Sequence, residues 1–243
     1  MDISFVIPAF NEARSLKGLY EAICVQMETI TNDFEVVFVD DGSSDRSFEI
    51  MHELALKDSK VKIIKLRRNF GKSIALNEGF RLAQGDIIFT MDADLQDDPK
   101  EIHRFLEKLE EGYDLISGWK QKRKDPVLSK NLPSRLFNLM IGQFSGLKLH
   151  DHNCGFKAYR KSVAKGISLY GDLHRYIPAI AHSTGWKVSE IPIEHHERTF
   201  GKSKYGLERF FHGFFDFITV LFITKYLKRP MHFFGWFGMM CKS

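Results

Sequence analysis

Asp86-Ile-Ile-Phe-Thr-Met-Asp92-Ala-Asp94-Leu-Gln96-Asp97-Asp98-Pro99 is an apolar run that ends in a burst of carboxylates just ahead of a proline. Ile87 to Met91 read as a buried strand, because short apolar runs bounded by turn residues usually are. Asp92 and Asp94 stand at its exit, one residue apart. In a chain still extended there, both carboxylates point the same way. Two like charges held that close are stabilised by a cation between them. Oxygen ligands with no Cys or His nearby suit Mg²⁺ or Mn²⁺, and Gln96 offers a further carbonyl on the same parity. Asp97, Asp98 and Pro99 fit the cap and first turn of a following helix. Asp-x-Asp alone is a weak signal, and its position at a strand exit is what strengthens it.

Upstream, the same alternation repeats. Ile3 to Ile7 form an apolar run closed by Pro8, and Leu16, Leu19, Tyr20 and Ile23 then recur at helical spacing. Glu12 falls in the connecting loop, where a helix dipole alone would favour an acid. Phe34 to Val39 make a second strand. Asp40-Asp41-Gly42-Ser43-Ser44-Asp45 follows as a turn rich in capping residues, ahead of a helix that turns Phe48, Met51, Leu54 and Ala55 inward. Capping explains Ser43, Ser44 and Asp45 but does not need Asp40 and Asp41. Val61 to Leu66 supply a third strand, and Asn69-Phe70-Gly71-Lys72 lead into a helix that Gly85 stops. Four strand-helix alternations predict a parallel, doubly wound sheet with right-handed crossovers. Ligands on such sheets bind beyond the carboxyl ends of the strands, so Pro8 to Glu12, Asp40, Asp41, Lys72 and Asp92 to Gln96 collect along one edge. Neither G-x-G-x-x-G nor G-x-x-x-x-G-K-[ST] is present, which excludes the dinucleotide fingerprint and the P-loop.

A length of 243 residues suits one elaborated domain. The three cysteines form no C-x-x-C pair, so neither a disulfide framework nor a zinc site is indicated and a reducing compartment is expected. Met1-Asp2 leads straight into a strand with no N-terminal signal. The net charge of +4 gathers partly in Lys120 to Lys130 and Lys225 to Arg229, which suits phosphate or an anionic membrane surface as well as ordinary solvated loops.

In the second half, Ile102, Phe105, Leu106 and Leu109 mark a helix, and Asp114 to Ser117 a strand ending at Gly118-Trp119-Lys120. A basic loop follows, then a helix from about Ser134 with Arg135 near its start. Asp151-His-Asn-Cys-Gly-Phe-Lys157 precedes a short strand, Leu173 to Ser183 read as helical, and Lys187 to His195 as a strand. His152, His195 and His196 are more often plain polar groups than ligands, since companion Cys and His are scarce. Leu207 to Tyr226 form a candidate helix with a very wide apolar face. That face fits a core helix and a helix lying in a membrane interface equally well. Met231 to Cys241 is too short to span a bilayer, which takes about 20 residues.

Val6-Ile-Pro-Ala-Phe-Asn-Glu12, Val39-Asp-Asp-Gly-Ser-Ser-Asp45, Arg68-Asn-Phe-Gly-Lys72, Met91-Asp-Ala-Asp-Leu-Gln96 and the segment Arg198 to Lys204 together resemble family 2 glycosyltransferases of the GT-A fold. Within them, the chain is similar to the branch of dolichol-phosphate mannosyltransferases and bacterial polyprenyl-phosphate glycosyltransferases. The resemblance runs from the first strand to about Tyr226. It implies an α/β fold with a Rossmann-like, mostly parallel sheet flanked by helices and a C-terminal amphipathic helix. It implies a catalytic domain over 1–205 and an aromatic-rich, membrane-proximal segment over 206–243. The implied partners are a UDP- or GDP-sugar, a divalent Mg²⁺ or Mn²⁺, an undecaprenyl or dolichyl phosphate acceptor and the membrane surface. A homo-oligomer is open, and nucleic acid is not expected. Pro8, Phe10, Glu12, Asp40 and Asp41 would contact base and ribose, with Lys72 also on the donor. Asp92, Asp94 and Gln96 would hold the metal and diphosphate. Lys120, and more loosely Arg175, would face the phosphates, and Arg135, Arg198 and Lys204 would meet the acceptor phosphate or donor diphosphate. The expected location is the cytoplasmic face of the membrane, peripheral in this form and integral in a longer one.

The implied reaction is an inverting sugar transfer in which an anionic acceptor phosphate attacks the anomeric carbon. It needs no strong base, and positioning and charge neutralisation carry it, with Asp92, Asp94, Arg135 and Arg198 as the catalytic set. A sugar hydroxyl of a polysaccharide or lipopolysaccharide is the alternative acceptor, and it would need a base, for which Asp151 is the candidate. A non-catalytic nucleotide-sugar binder is the third reading.

Overall fold

The computed structural model describes residues 2–120, 142, 145–194, 196 and 231. The first half runs β1 (Ile3–Ala9), α1 (Leu16–Met27), β2 (Phe34–Asp40), α2 (Ser47–Lys57), β3 (Val61–Lys65), α3 (Lys72–Leu82) and β4 (Ile87–Thr90). A 3-10 turn (Pro99–Glu101) leads into α4 (Ile102–Glu110) and β5 (Leu115–Lys120). Then come β6 (Lys157–Arg160), α5 (Lys161–Gly166), a second 3-10 turn (Leu173–Arg175), α6 (Ile177–Ser183) and β7 (Val188–Ile193).

The strand order is β3-β2-β1-β4-β6-β5-β7. β1 to β4 pair in parallel, as the alternation of strands and helices predicts. β6 is antiparallel to both β4 and β5, and β5 is parallel to β7. The two reversals cancel, so β5 and β7 run in the direction of β4. One edge of the sheet therefore carries the exits of β1 to β5 and β7 together with the start of β6. The order reverses between β1 and β4, the place where such sheets open a crevice.

The core has two halves because successive strand residues face opposite sides. Ile3, Phe5 and Ile7 pack with α1, α2 and α4, whereas Val6 packs with α3, α5 and α6. In the first half the rings of Phe5, Phe89, Phe105 and Phe156 follow one another at centroid distances of 5.3, 5.9 and 4.5 Å. Leu16, Leu19, Tyr20 and Ile23, and likewise Ile102, Phe105, Leu106 and Leu109, are all buried, as their spacing predicts. On the other face α3 comes so close to β1 that a Cβ on Gly79 would lie 2.3 Å from Val6 Cγ1. Gly79→Ala is expected to destabilise the fold by about 1–3 kcal/mol through overpacking, read as a lower denaturant midpoint. An unchanged midpoint would show that α3 can shift.

Two expectations are corrected. Leu173 to Ser183 is not one helix: the 3-10 turn stops at Arg175 and α6 begins at Ile177, with Pro178 in its first turn. Proline lacks the N–H and its ring crowds the carbonyl four residues back, so it starts a helix and does not continue one. The strand before Asp92 ends at Thr90 and the chain turns, with Leu95 at φ 59°. Asp92, Asp94 and Gln96 therefore do not share a face through strand parity. The helix expected from Ser134, the Leu207 to Tyr226 helix and, apart from Met231, the 206–243 segment lie outside the described residues. Among the described residues no helix is long and apolar enough to cross a membrane.

Candidate active site

The β1–α1 loop is held by the β2–α2 turn. Asn11 N–H donates to Ser43 Oγ at 2.9 Å, Glu12 N–H to Ser47 Oγ at 2.9 Å and Ala13 N–H to Asp45 Oδ2 at 3.2 Å. Asn11 Oδ1 in turn accepts Ser44 N–H at 2.8 Å. Ser43 and Ser44, expected to cap their own helix, brace the neighbouring loop, which carries Phe10 and Glu12 just beyond Pro8 on β1. Asp45 serves both, because it also accepts Ser47 N–H at 2.9 Å.

Asp40 is fully buried and accepts Ser43 N–H through Oδ1 at 3.0 Å. Asp41 accepts the N–H groups of Phe70 at 2.8 Å and Gly71 at 3.0 Å, tying the β2 exit to the β3–α3 loop. Burial raises its carboxyl above the ordinary range in spite of those two donors. Gly42, at φ 71°, is required here: a Cβ would stand 2.4 Å from the backbone carbon of Arg68.

Lys72 opens α3 and its ammonium meets Asp92 Oδ1. Lys120, at the end of β5, lies 3.6 Å from Asp97 Oδ1. Burial would raise the Asp92 carboxyl, but Lys72, Lys120 and Lys157 outweigh it and hold the group well below the usual carboxylate range. Burial would likewise lower Lys120, yet Asp97 and its neighbours raise it. Asp97 is 2% exposed and faces Lys120, so it belongs to this cluster, and the capping expected of it falls to Asp98 alone. Asp98 does cap the 3-10 turn, accepting Lys100 N–H at 3.0 Å.

Asp94 is buried, and its Oδ1 accepts Gln96 N–H at 3.2 Å. Gln96 is clipped to the segment after β7: its carbonyl accepts His196 N–H at 2.9 Å and its Nε2 donates to the His196 carbonyl at 3.3 Å. Among the described residues, ligand atoms of Asp98, Glu194 and His196 lie within 4.8 Å of one another, a group that could hold a metal. Arg175 is largely buried beside the site, and its ion pair among the described residues is with Asp172 at 3.2 Å. The adjoining His174 Nδ1 is 2.9 Å from Ser73 Oγ, which pins this turn to the start of α3. Asp151 is buried, with Oδ1 accepting Asn153 N–H at 3.0 Å. Arg135, Arg198, Lys204 and His195 lie outside the described residues.

The sequence reading missed Lys157, Gly155 and His174. Lys157 is 2% exposed at the start of β6, and a Cβ on Gly155 would come within 2.5 Å of the Asp92 carboxylate. A lysine set between Phe156 and the pair Ala158 and Tyr159 was the available signal.

Residues 4–167 match the model of glycosyl transferase family 2. The chain belongs to that family. This glycosyltransferase is 38% identical over 243 residues to dodecaprenyl-phosphate galacturonate synthase of Rhizobium johnstonii, covering 98% of this chain and 72% of that one. It is 38% identical over 234 residues to undecaprenyl-phosphate 4-deoxy-4-formamido-L-arabinose transferase of Edwardsiella ictaluri, covering 96% and 71%. Among solved structures, glucosyl-3-phosphoglycerate synthase from Mycobacterium tuberculosis, in complex with Mn²⁺, UDP and phosphoglyceric acid, superposes with a TM-score of 0.70 at 14% identity, covering 92% of this chain and 78% of that one. That likeness is one of fold, and the fold of this glycosyltransferase is GT-A.

Proposed function

We propose that this glycosyltransferase moves a sugar, with inversion, from a UDP- or GDP-sugar to a polyprenyl phosphate, giving a lipid-linked sugar for glycan or cell-envelope assembly. The observation that carries the reading is what two relatives share. Their sugars differ, galacturonate and a formamido-arabinose, while the lipid in both is a polyprenyl phosphate. The acceptor class is the common part and the sugar is the variable one.

The residues of the carboxyl edge support this chemistry. Asp92 is kept ionised, and Asp94 and Gln96 add oxygen donors. That donor set fits a hard divalent cation. Asp92, Asp94 and Gln96 would hold Mg²⁺ or Mn²⁺, which when bound supplies charge neutralisation for the leaving diphosphate. Lys72 and Lys120 supply fixed positive charge to the same diphosphate. Pro8, Phe10, Glu12, Asp40 and Asp41 would line the base and ribose, with Arg175 behind the phosphates. Arg135, Arg198 and Lys204 would seat the acceptor phosphate. An acceptor oxygen bonds to the anomeric carbon as the bond from that carbon to the diphosphate breaks, and the nucleoside diphosphate leaves with the electron pair. The acceptor is already an anion, so no base is needed. A hydroxyl acceptor is the weaker reading, because Asp151 is buried and already engaged by Asn153.

On this reading the catalytic domain spans 1–205 and works at the cytoplasmic face of the membrane, with 206–243 as its membrane-proximal part, and self-association is open. A thermal-shift panel of UDP- and GDP-sugars, each with and without Mn²⁺, tests the donor. At a hundredfold excess over Kd a true donor adds about 2.7 kcal/mol, or roughly 5–10 °C for a chain of this size. One nucleotide class should produce this shift only with metal, and incubation with polyprenyl phosphate should then yield a lipid-linked sugar. No shift from either class, or turnover on sugar hydroxyls alone, would overturn the proposal.

A further inference from the structure

Lys157 reaches the active edge only because β6 runs backwards. Its register partners are Thr90 on β4 and Ser117 on β5, two residues before Asp92 and three before Lys120. The ammonium is buried and donates to the carbonyl of Cys154, three residues earlier. That bond closes the loop 151–156, which is fixed at two further points. Thr90 Oγ1 donates to the Gly155 carbonyl at 2.8 Å, and Gly118 N–H to the Phe156 carbonyl at 2.9 Å. The loop is clamped against the Asp92 carboxylate closely enough that a Cβ on Gly155 would stand 2.5 to 2.7 Å from its atoms. The charged and titratable groups around Lys157 are Cys154 and Asp151 on its own loop, Lys72 at the start of α3 and Asp92 after β4. His152 and His174 also feel its charge. A buried ammonium is costly, and a methionine would fill the same strand position without that cost.

We infer that Lys157 is a positioning residue for Asp92: by drawing the Cys154 carbonyl inward it presses the Gly155 backbone onto the Asp92 carboxylate, and with Lys72 and Lys120 it surrounds that carboxylate with positive charge. Asp92 is thereby fixed in one orientation toward the donor diphosphate and its cation. The inference rests on the donor-site reading of Asp92 proposed above.

The test is calorimetric binding of UDP and GDP to the full chain, with and without Mn²⁺, alongside steady-state kinetics. Removing a residue that orients a metal ligand typically costs 10–100-fold in affinity or activity. Lys157→Met should therefore weaken the metal-dependent part of nucleotide binding by about 10–100-fold and raise donor KM, leaving acceptor KM unchanged. Gly155→Ala keeps the lysine and pushes directly on Asp92. It should reproduce the loss, and it carries the test alone if Lys157→Met does not fold. Lys157→Arg, which restores charge and donor, should recover part of the affinity. Wild-type-like Mn²⁺-dependent binding in folded Lys157→Met and Gly155→Ala would overturn the inference and leave the donor site standing. Absence of metal-dependent binding in the wild type would instead overturn the donor-site reading, and this inference with it.

Discussion

Asp94→Asn is expected to lower turnover by about 10²–10³-fold, the range seen when one preorganised electrostatic stabiliser is removed, while the protein stays folded. The argument turns on what asparagine keeps. Asp94 Oδ1 accepts Gln96 N–H, and an amide oxygen accepts it as well. The turn around it depends on other contacts: Leu95 holds φ 59°, a conformation that L side chains rarely adopt, and Gln96 is clipped to His196 through both its main chain and its side chain. None of these needs the Asp94 charge. Asp92→Asn would be a poorer test, because it strips the carboxylate that faces Lys72 and so mixes lost catalysis with an uncompensated ammonium. Turnover of a UDP- or GDP-sugar with polyprenyl phosphate, measured beside the melting temperature, decides the matter. A folded, fully active Asp94→Asn would remove Asp94 from the metal set.

The parallel half of the fold was legible because each of its signals is local. A strand, a turn, an amphipathic helix and a glycine stop can be read one after another, and the right-handed crossover then places Pro8 to Glu12, Asp40, Asp41, Lys72 and Asp92 on one edge. The antiparallel β6 has no such local signature. Its four residues, Lys157–Arg160, pair with β4 and β5 far away in sequence, and only that pairing brings Lys157 and Gly155 to Asp92. Asp97 was misread for a related reason. Next to Asp98 and Pro99 it looks like a cap, and what distinguishes it is Lys120, 23 positions along the chain and 3.6 Å away. The parity argument for Asp92, Asp94 and Gln96 failed through backbone conformation: nothing in the residue pattern announces that a leucine will occupy the left-handed region. Ser43 and Ser44 are good capping residues drawn to a loop 32 and 33 positions earlier, Ser43 accepting Asn11 N–H through its Oγ and Ser44 donating its own N–H to Asn11 Oδ1.

Acidification from pH 6.5 to 4 is expected to cost the fold about 3 kcal/mol through His152 alone. His152 is fully buried and neither ring nitrogen has a hydrogen-bond partner among the described residues. Burial first, then the ammonium of Lys157, push its pKa from 6.5 down to about 4, with Asp151 opposing. The unfolded chain therefore takes up the proton at higher pH than the folded one, so stability is flat above 6.5, falls as pH drops toward 4, and levels off below. His174 adds in the same direction, since burial and then Lys72 hold it well below its ordinary value. Carboxylates do not mimic this window. Glu35 and Asp45, whose burial is outweighed by hydrogen bonds from Lys62 and Ser47, sit below the usual range and lose their contribution only under about pH 4.5. Asp41, raised by burial, acts with the opposite sign and offsets part of the histidine effect at the acid end. Urea midpoints of the wild type and of His152→Met, taken at half-unit steps between pH 7 and 4, separate these contributions. The variant should lose about 3 kcal/mol less than the wild type across the window, and parallel curves would mean that His152 is protonated in the folded protein without penalty.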